Sequence, residues 1–189
     1  MASRSVSEAG VEALDALRGL HLQSNDFALM GCAPAFAIDT AALEARWKQL
    51  QRLVHPDRFA THDAATQRVA MQWSVRINEA FQRLKEPVKR ATYWCALQGA
   101  PVNAESNTAM PAAFLMQQME WREALDDAHT EAALDGLLAH TRRARADALD
   151  RLAQLIDVES NPAAAVDQVR ALMFIDRFAE EVRQRLDRF

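Results

Sequence analysis

The chain has 189 residues, half apolar and a quarter charged, as in an ordinary soluble globular protein; few glycines and one tyrosine amid abundant Ala, Leu and Arg favour helix over sheet. Its net charge of −4 is divided unevenly, with +3 over residues 25–98 and −6 over 99–189; the basic excess is too small, and too free of interleaved aromatics, for a nucleic-acid binder. No apolar run approaches the roughly 18–20 residues that span a bilayer, and the N-terminus lacks a secretory core and carries Glu8, Glu12 and Asp15, so a cytoplasmic address is expected.

Residues 1–24 form an N-terminal extension in which Val11, Leu14, Leu17 and Leu20 are spaced for a short helix. Ser24-Asn25-Asp26 opens a short apolar turn, Phe27 to Met30, closed by Gly31 and Pro34. Asp39 or Thr40 starts a helix in which Leu43, Trp47, Leu50 and Val54 make one stripe, with Lys48 and Arg52 opposite and Arg46 on the flank. Pro56 must end that helix near His55. A second helix runs from Asp63 or Ala64 to Leu84, with Val69, Trp73, Ile77, Ala80, Phe81 and Leu84 on one side. Glu86-Pro87 ends it, and a short piece from Val88 to Leu97 stops at Gly99-Ala100-Pro101.

Residues 99–107 are the expected linker. Beyond it three helical patterns run from Pro111 to about Ala128, from about Glu131 to Asp157, and from Asn161-Pro162, a cap with proline at its first turn, to the C-terminus. No strand alternation and no repeat appears. The expected fold is all-α: a helical hairpin braced by short helices over 25–98, then an antiparallel three-helix bundle over 108–189. Cys32 and Cys95 are isolated, without ligand spacing, and are read as reduced structural thiols; no metal or cofactor motif is present.

The stretch RLVHPDRFA at 52–60 admits three readings. His55, Pro56 and Asp57 can be punctuation between helices. With His62 and Asp63 they offer imidazole and carboxylate for a metal or acid–base site, although no helical ligand spacing, nucleophile context or second carboxylate cluster supports this. Finally, a proline-stiffened turn can hold a donor and an acceptor out to a partner, with Arg46, Lys48, Arg52 and Arg58 steering by charge.

A basic helix ending in His-Pro-Asp, followed by a helix containing Ile77-Asn78-Glu79-Ala80-Phe81, resembles a J-domain. The segments NDFALMGCAPAFAID, HPDRF, PVKRATYWCALQG, AFLMQQMEWREALD and VRALMFIDRF together resemble the HscB family of iron–sulfur co-chaperones over residues 25–189. The resemblance implies a non-enzymatic protein. Its J-domain would stimulate a DnaK/HscA-type ATPase through His55, Pro56 and Asp57, and its bundle would bind the IscU-type scaffold protein. The glycine/phenylalanine linker and zinc repeats of general DnaJ proteins, and the N-terminal cysteine cluster of eukaryotic relatives, are absent from the sequence. A general DnaJ-like holder of unfolded chains stays open as an alternative.

The first bundle helix carries two apolar sides. Phe114, Trp121 and Leu125 make a core stripe, while Leu115, Met116 and Met119 lie opposite beside Glu120 and Glu123, a face either buried elsewhere or offered to another protein. The last helix also has two, Val166-Val169-Met173 and Ile175-Phe178-Val182-Leu186, with Phe174 ambiguous between them. The resemblance implies that Leu115, Met116, Met119, Glu120, Glu123 and Phe174 bind the scaffold. Arg145 falls within the apolar stripe of the middle helix, where its stem can pack while its head reaches an edge.

Overall fold

The computed structural model describes Leu17, residues 19–103 and residues 112–188. Every regular element among them is helical, as composition predicts. The expected N-terminal helix falls mostly outside the described residues; its described end is a turn, in which the Leu20 N–H donates to the Leu17 carbonyl. Residues 104–107 of the expected linker also lie outside them. The chain divides into two compact units, Met1–Glu86 and Pro87–Phe189.

In the first unit α1 (Asp26–Met30) is capped by Asn25, whose side chain accepts the Ala28 N–H, and ends at Gly31 with φ 70°, a left-handed closure that glycine takes without strain. The Asp26 carboxylate is wholly buried and accepts from both Arg76 and Arg83 at 2.6 Å, tying this short helix to a later one. Helix α2 (Thr40–Val54) begins where the Asp39 carboxylate accepts the Ala41 and Ala42 N–H groups. Leu43, Leu50 and Val54 are buried, and Trp47 stacks on Phe81 with ring centroids 4.7 Å apart. Pro56 has no N–H to continue the helix, so the chain tightens into a 3-10 turn at Pro56–Phe59.

Helix α3 (Ala64–Lys85) returns antiparallel to α2, its register fixed by Gln51 against Ser74 and by Lys85 against Glu44. Its inward stripe is Ala70, Trp73, Ile77, Ala80, Phe81 and Leu84; Val69, expected to lead it, is 38% exposed. Ala70 takes the inward place instead, clustered with the wholly buried Phe59.

The second unit holds four helices among the described residues: α4 (Pro87–Leu97), α5 (Ala112–Asp126), α6 (Glu131–Ala153) and α7 (Pro162–Leu186). Helix α6 loosens into a π-helical turn, Gln154–Val158, before Asn161 caps α7. α6 and α7 pack along most of their lengths, and α4 covers another side of α7. The two apolar stripes of the last helix are thereby both used: Val166, Val169, Ile175, Phe178 and Val182 are all buried. Helix α4, expected with the first domain, packs in this unit. Arg170, itself buried, donates through Nε and Nη2 to the Val102 carbonyl and holds the chain beyond Gly99 on α7. Arg145, unexplained by the apolar pattern, donates to Asp176 at 2.7 Å and bridges α6 to α7. Cys95, on the inward side of α4, is buried, and desolvation pushes its thiol up to about 11; Cys32 is half-buried with its thiol toward the Phe27 carbonyl at 3.7 Å, and neither cysteine forms a disulfide.

Candidate functional site

The turn after α2 is built to face outward. Phe59 plugs into the core and Pro56 stiffens the entry, leaving the His55 and Asp57 side chains 56% and 90% exposed. His55 Nδ1 accepts the Asp57 N–H at 3.3 Å and lies 3.5 Å from its carboxylate. In neutral imidazole this acceptor role puts the ring proton on Nε2. The turn therefore presents one N–H donor and one carboxylate acceptor side by side.

The flanking cations divide. Lys48 and Arg52 are exposed and lie within about 40° of each other on α2. Arg58 is exposed, yet one guanidinium N–H closes the last turn of α2 on the Arg52 carbonyl at 3.0 Å. Arg46 lies about 120–160° from the other two around the helix. It donates to Gln49 at 2.9 Å and lines a surface cavity of about 500 Å³ with Met30, Cys32, Ile38 and Leu43, its Nε buried without a partner.

The acid–base or metal grouping is not assembled. His62 turns inward against Phe59, centroids 5.4 Å apart, with both ring nitrogens buried and unpartnered. Asp63 is spent capping α3, where the Thr66 N–H and then the Thr66 hydroxyl hold its carboxyl below the ordinary 3.8. Among the described residues no three His, Cys, Asp or Glu side chains converge as metal ligands would. The sequence pattern gave no sign that His62 is inward-facing; the aromatic at Phe59, three residues earlier, is the signal available.

In the second unit Leu115, Met116 and Met119 are 44%, 64% and 71% exposed, and Glu120 and Glu123 beside them are exposed too. Trp121 and Leu125 on the other side of α5 are buried. Phe174 is half-buried, edge-on to Phe114 at 5.6 Å and stacked with Phe178 at 6.0 Å, which resolves its ambiguity: it continues the aromatic core outward to the surface. The sequence pattern missed the ion pair of Arg122 with Glu181 at 3.5 Å, which joins α5 to α7 next to this face. The result is an apolar surface on rigid helices with a polar rim, suited to gripping a folded protein.

Among the described residues no helix is long and apolar enough to cross a membrane. Residues 110–183 match the family described as the HSCB C-terminal oligomerisation domain. The co-chaperone protein HscB homologue of Burkholderia multivorans is 48% identical over 170 residues, covering 88% of this chain and 97% of that protein. Chaperone HscB from Vibrio cholerae has a similar solved structure, with a TM-score of 0.74 and 34% identity over 87% of this chain and 99% of that one. The human co-chaperone HscB crystal structure has a TM-score of 0.82 and 26% identity, covering 88% and 84% of the two chains.

Proposed function

The chain belongs to the HscB family of co-chaperones, and on that premise we propose that it stimulates the ATPase of a DnaK/HscA-type chaperone and delivers an IscU-type iron–sulfur scaffold protein to it in the cytoplasm. The proposed division of labour gives the chaperone to the hairpin within residues 25–98 and the scaffold to the bundle of 108–189, with 99–107, held at Val102 on the second unit, passing between them. The observation that carries the reading is the outward placement of His55 and Asp57 on a turn whose Phe59 is wholly buried. With the backbone of the turn already fixed by Pro56 and Phe59, the imidazole N–H and the carboxylate meet a partner at a reduced ordering cost. Lys48, Arg52, Arg58 and Arg46 add positive charge that guides the encounter. ATP hydrolysis belongs to the partner; the chain supplies contacts, and the reading calls for no metal or cofactor.

Leu115, Met116, Met119 and Phe174 form the proposed scaffold contact, with Glu120 and Glu123 at its rim. The test is steady-state ATPase of the chaperone with and without scaffold. H55Q and D57N should abolish stimulation with the fold intact, while L115A, M116A and F174A should remove only the scaffold-dependent part. Stimulation unchanged by D57N would refute the role of the turn. The description of the matching family favours one rival, self-association through the same domain; sedimentation at rising concentration separates it, since L115A would then lower the mass rather than the scaffold affinity.

A further inference from the structure

We infer that Arg177 is a further specificity-determining contact for the client protein, meeting a carboxylate on the client beside the apolar face of α5. The inference rests on the reading above that this face docks the scaffold. Helices α5 and α7 lie side by side in the same direction: Phe114 meets Phe174, Arg122 meets Glu181, and Arg185 reaches the Leu125 carbonyl. Arg177 lies between Phe174 and Glu181 in sequence, hence level with the part of α5 that carries Leu115, Met116 and Met119. On the helical wheel it is about 60° from Phe174, on the side away from the buried Phe178 and Ile175, and it is exposed. Residues three apart on a helix are surface neighbours, so Arg177 borders Phe174 on the surface of α7.

Its nearest acids are already engaged. Asp176 binds Arg145, Glu180 binds Arg183 and Glu181 binds Arg122. Among the described residues Arg177 has no ion pair of its own. An exposed guanidinium that holds no ion pair within the described residues is disposed to take an acid from outside. Glu120 and Glu123 border the face on α5, while Arg177 is an exposed cation beside Phe174 on α7. A client surface of matching polarity docks in one orientation and is opposed when turned around.

Arg177 at the rim should act mainly on association. The test follows binding of purified IscU-type scaffold protein to the full chain by stopped-flow at low and high salt, with R177E, R177K and L115A. R177E should lower the association rate roughly five- to tenfold at low salt and flatten its salt dependence, R177K should stay near wild type, and L115A should instead speed dissociation. If L115A weakens binding while R177E associates at the wild-type rate, the inference on Arg177 is overturned and the docking reading stands. If neither variant changes binding, both fall. Equal losses in R177E and R177K, with a lowered thermal midpoint, would make Arg177 structural and likewise overturn the inference.

Discussion

Asp26 and Asp57 put the same side chain to opposite uses. Asp26 has no exposed surface and depends on Arg76 and Arg83, 50 and 57 residues further along the chain. Removing its charge leaves two guanidinium groups facing a buried neutral amide, so D26N should cost about 3–5 kcal/mol in chemical denaturation. Asp57 is nearly all solvent-exposed, and D57N should leave the denaturation midpoint where it is while chaperone stimulation disappears. Asp57 could be picked out from sequence because its signal is local: a proline beside it and a helix on either side. The partners of Asp26 could not, because only tertiary packing brings Arg76 and Arg83 to it. The inward turn of His62 was hidden for the same reason, since it is set by where Phe59 goes.

Single helices show where local chemistry suffices. Asp39, Asp63 and Asn161 are N-caps by residue type and position, and each accepts the N–H groups expected of it. The Asp63 cap carries a pH signature. Its carboxyl is held below 3.8 in the folded chain by Thr66, so the folded state favours its ionised form. That contribution is complete above the unfolded value and is lost as pH falls through the lower folded one. D63N keeps an amide cap but cannot titrate. The gap in thermal midpoint between wild type and D63N should therefore narrow from about pH 6 to about pH 2; a constant gap would show that the charge is irrelevant. Packing partners were less legible. The inward stripe of α3 takes in Ala70, clustered with Phe59, and leaves out Val69, a partnership that only tertiary packing sets. The last helix displayed two apolar stripes, which demanded two neighbours without saying which, and α4 is one of them. A fragment starting at residue 87 should accordingly unfold cooperatively, whereas one starting at 99 exposes the side of α7 that Trp94 and its neighbours cover. Hydrogen exchange along α7 would register the difference.

Across the whole molecule, the charge imbalance follows the proposed division of labour. The span 25–98 carries +3, and Lys48, Arg52 and Arg58 stand exposed around the His-Pro-Asp turn; the span 99–189 carries −6 around an exposed Leu and Met face. Exposed charges steer partners over a distance set by salt, about 10 Å at 0.1 M and about 3 Å at 1 M. Apolar contact is not screened in this way. The proposed chaperone engagement should therefore slow on the order of tenfold over that range. Scaffold affinity should fall far less, losing only what the rim charges add to association. The two units have separate buried cores, so D57N and L115A should also combine additively, each removing its own partner and leaving the other's affinity in place. Measuring both affinities for wild type, the single variants and the double variant, at both ionic strengths, examines the two claims together. A shared salt response, or a D57N effect on scaffold binding, would mean that one surface serves both partners and that the chain does not act as two independent grips.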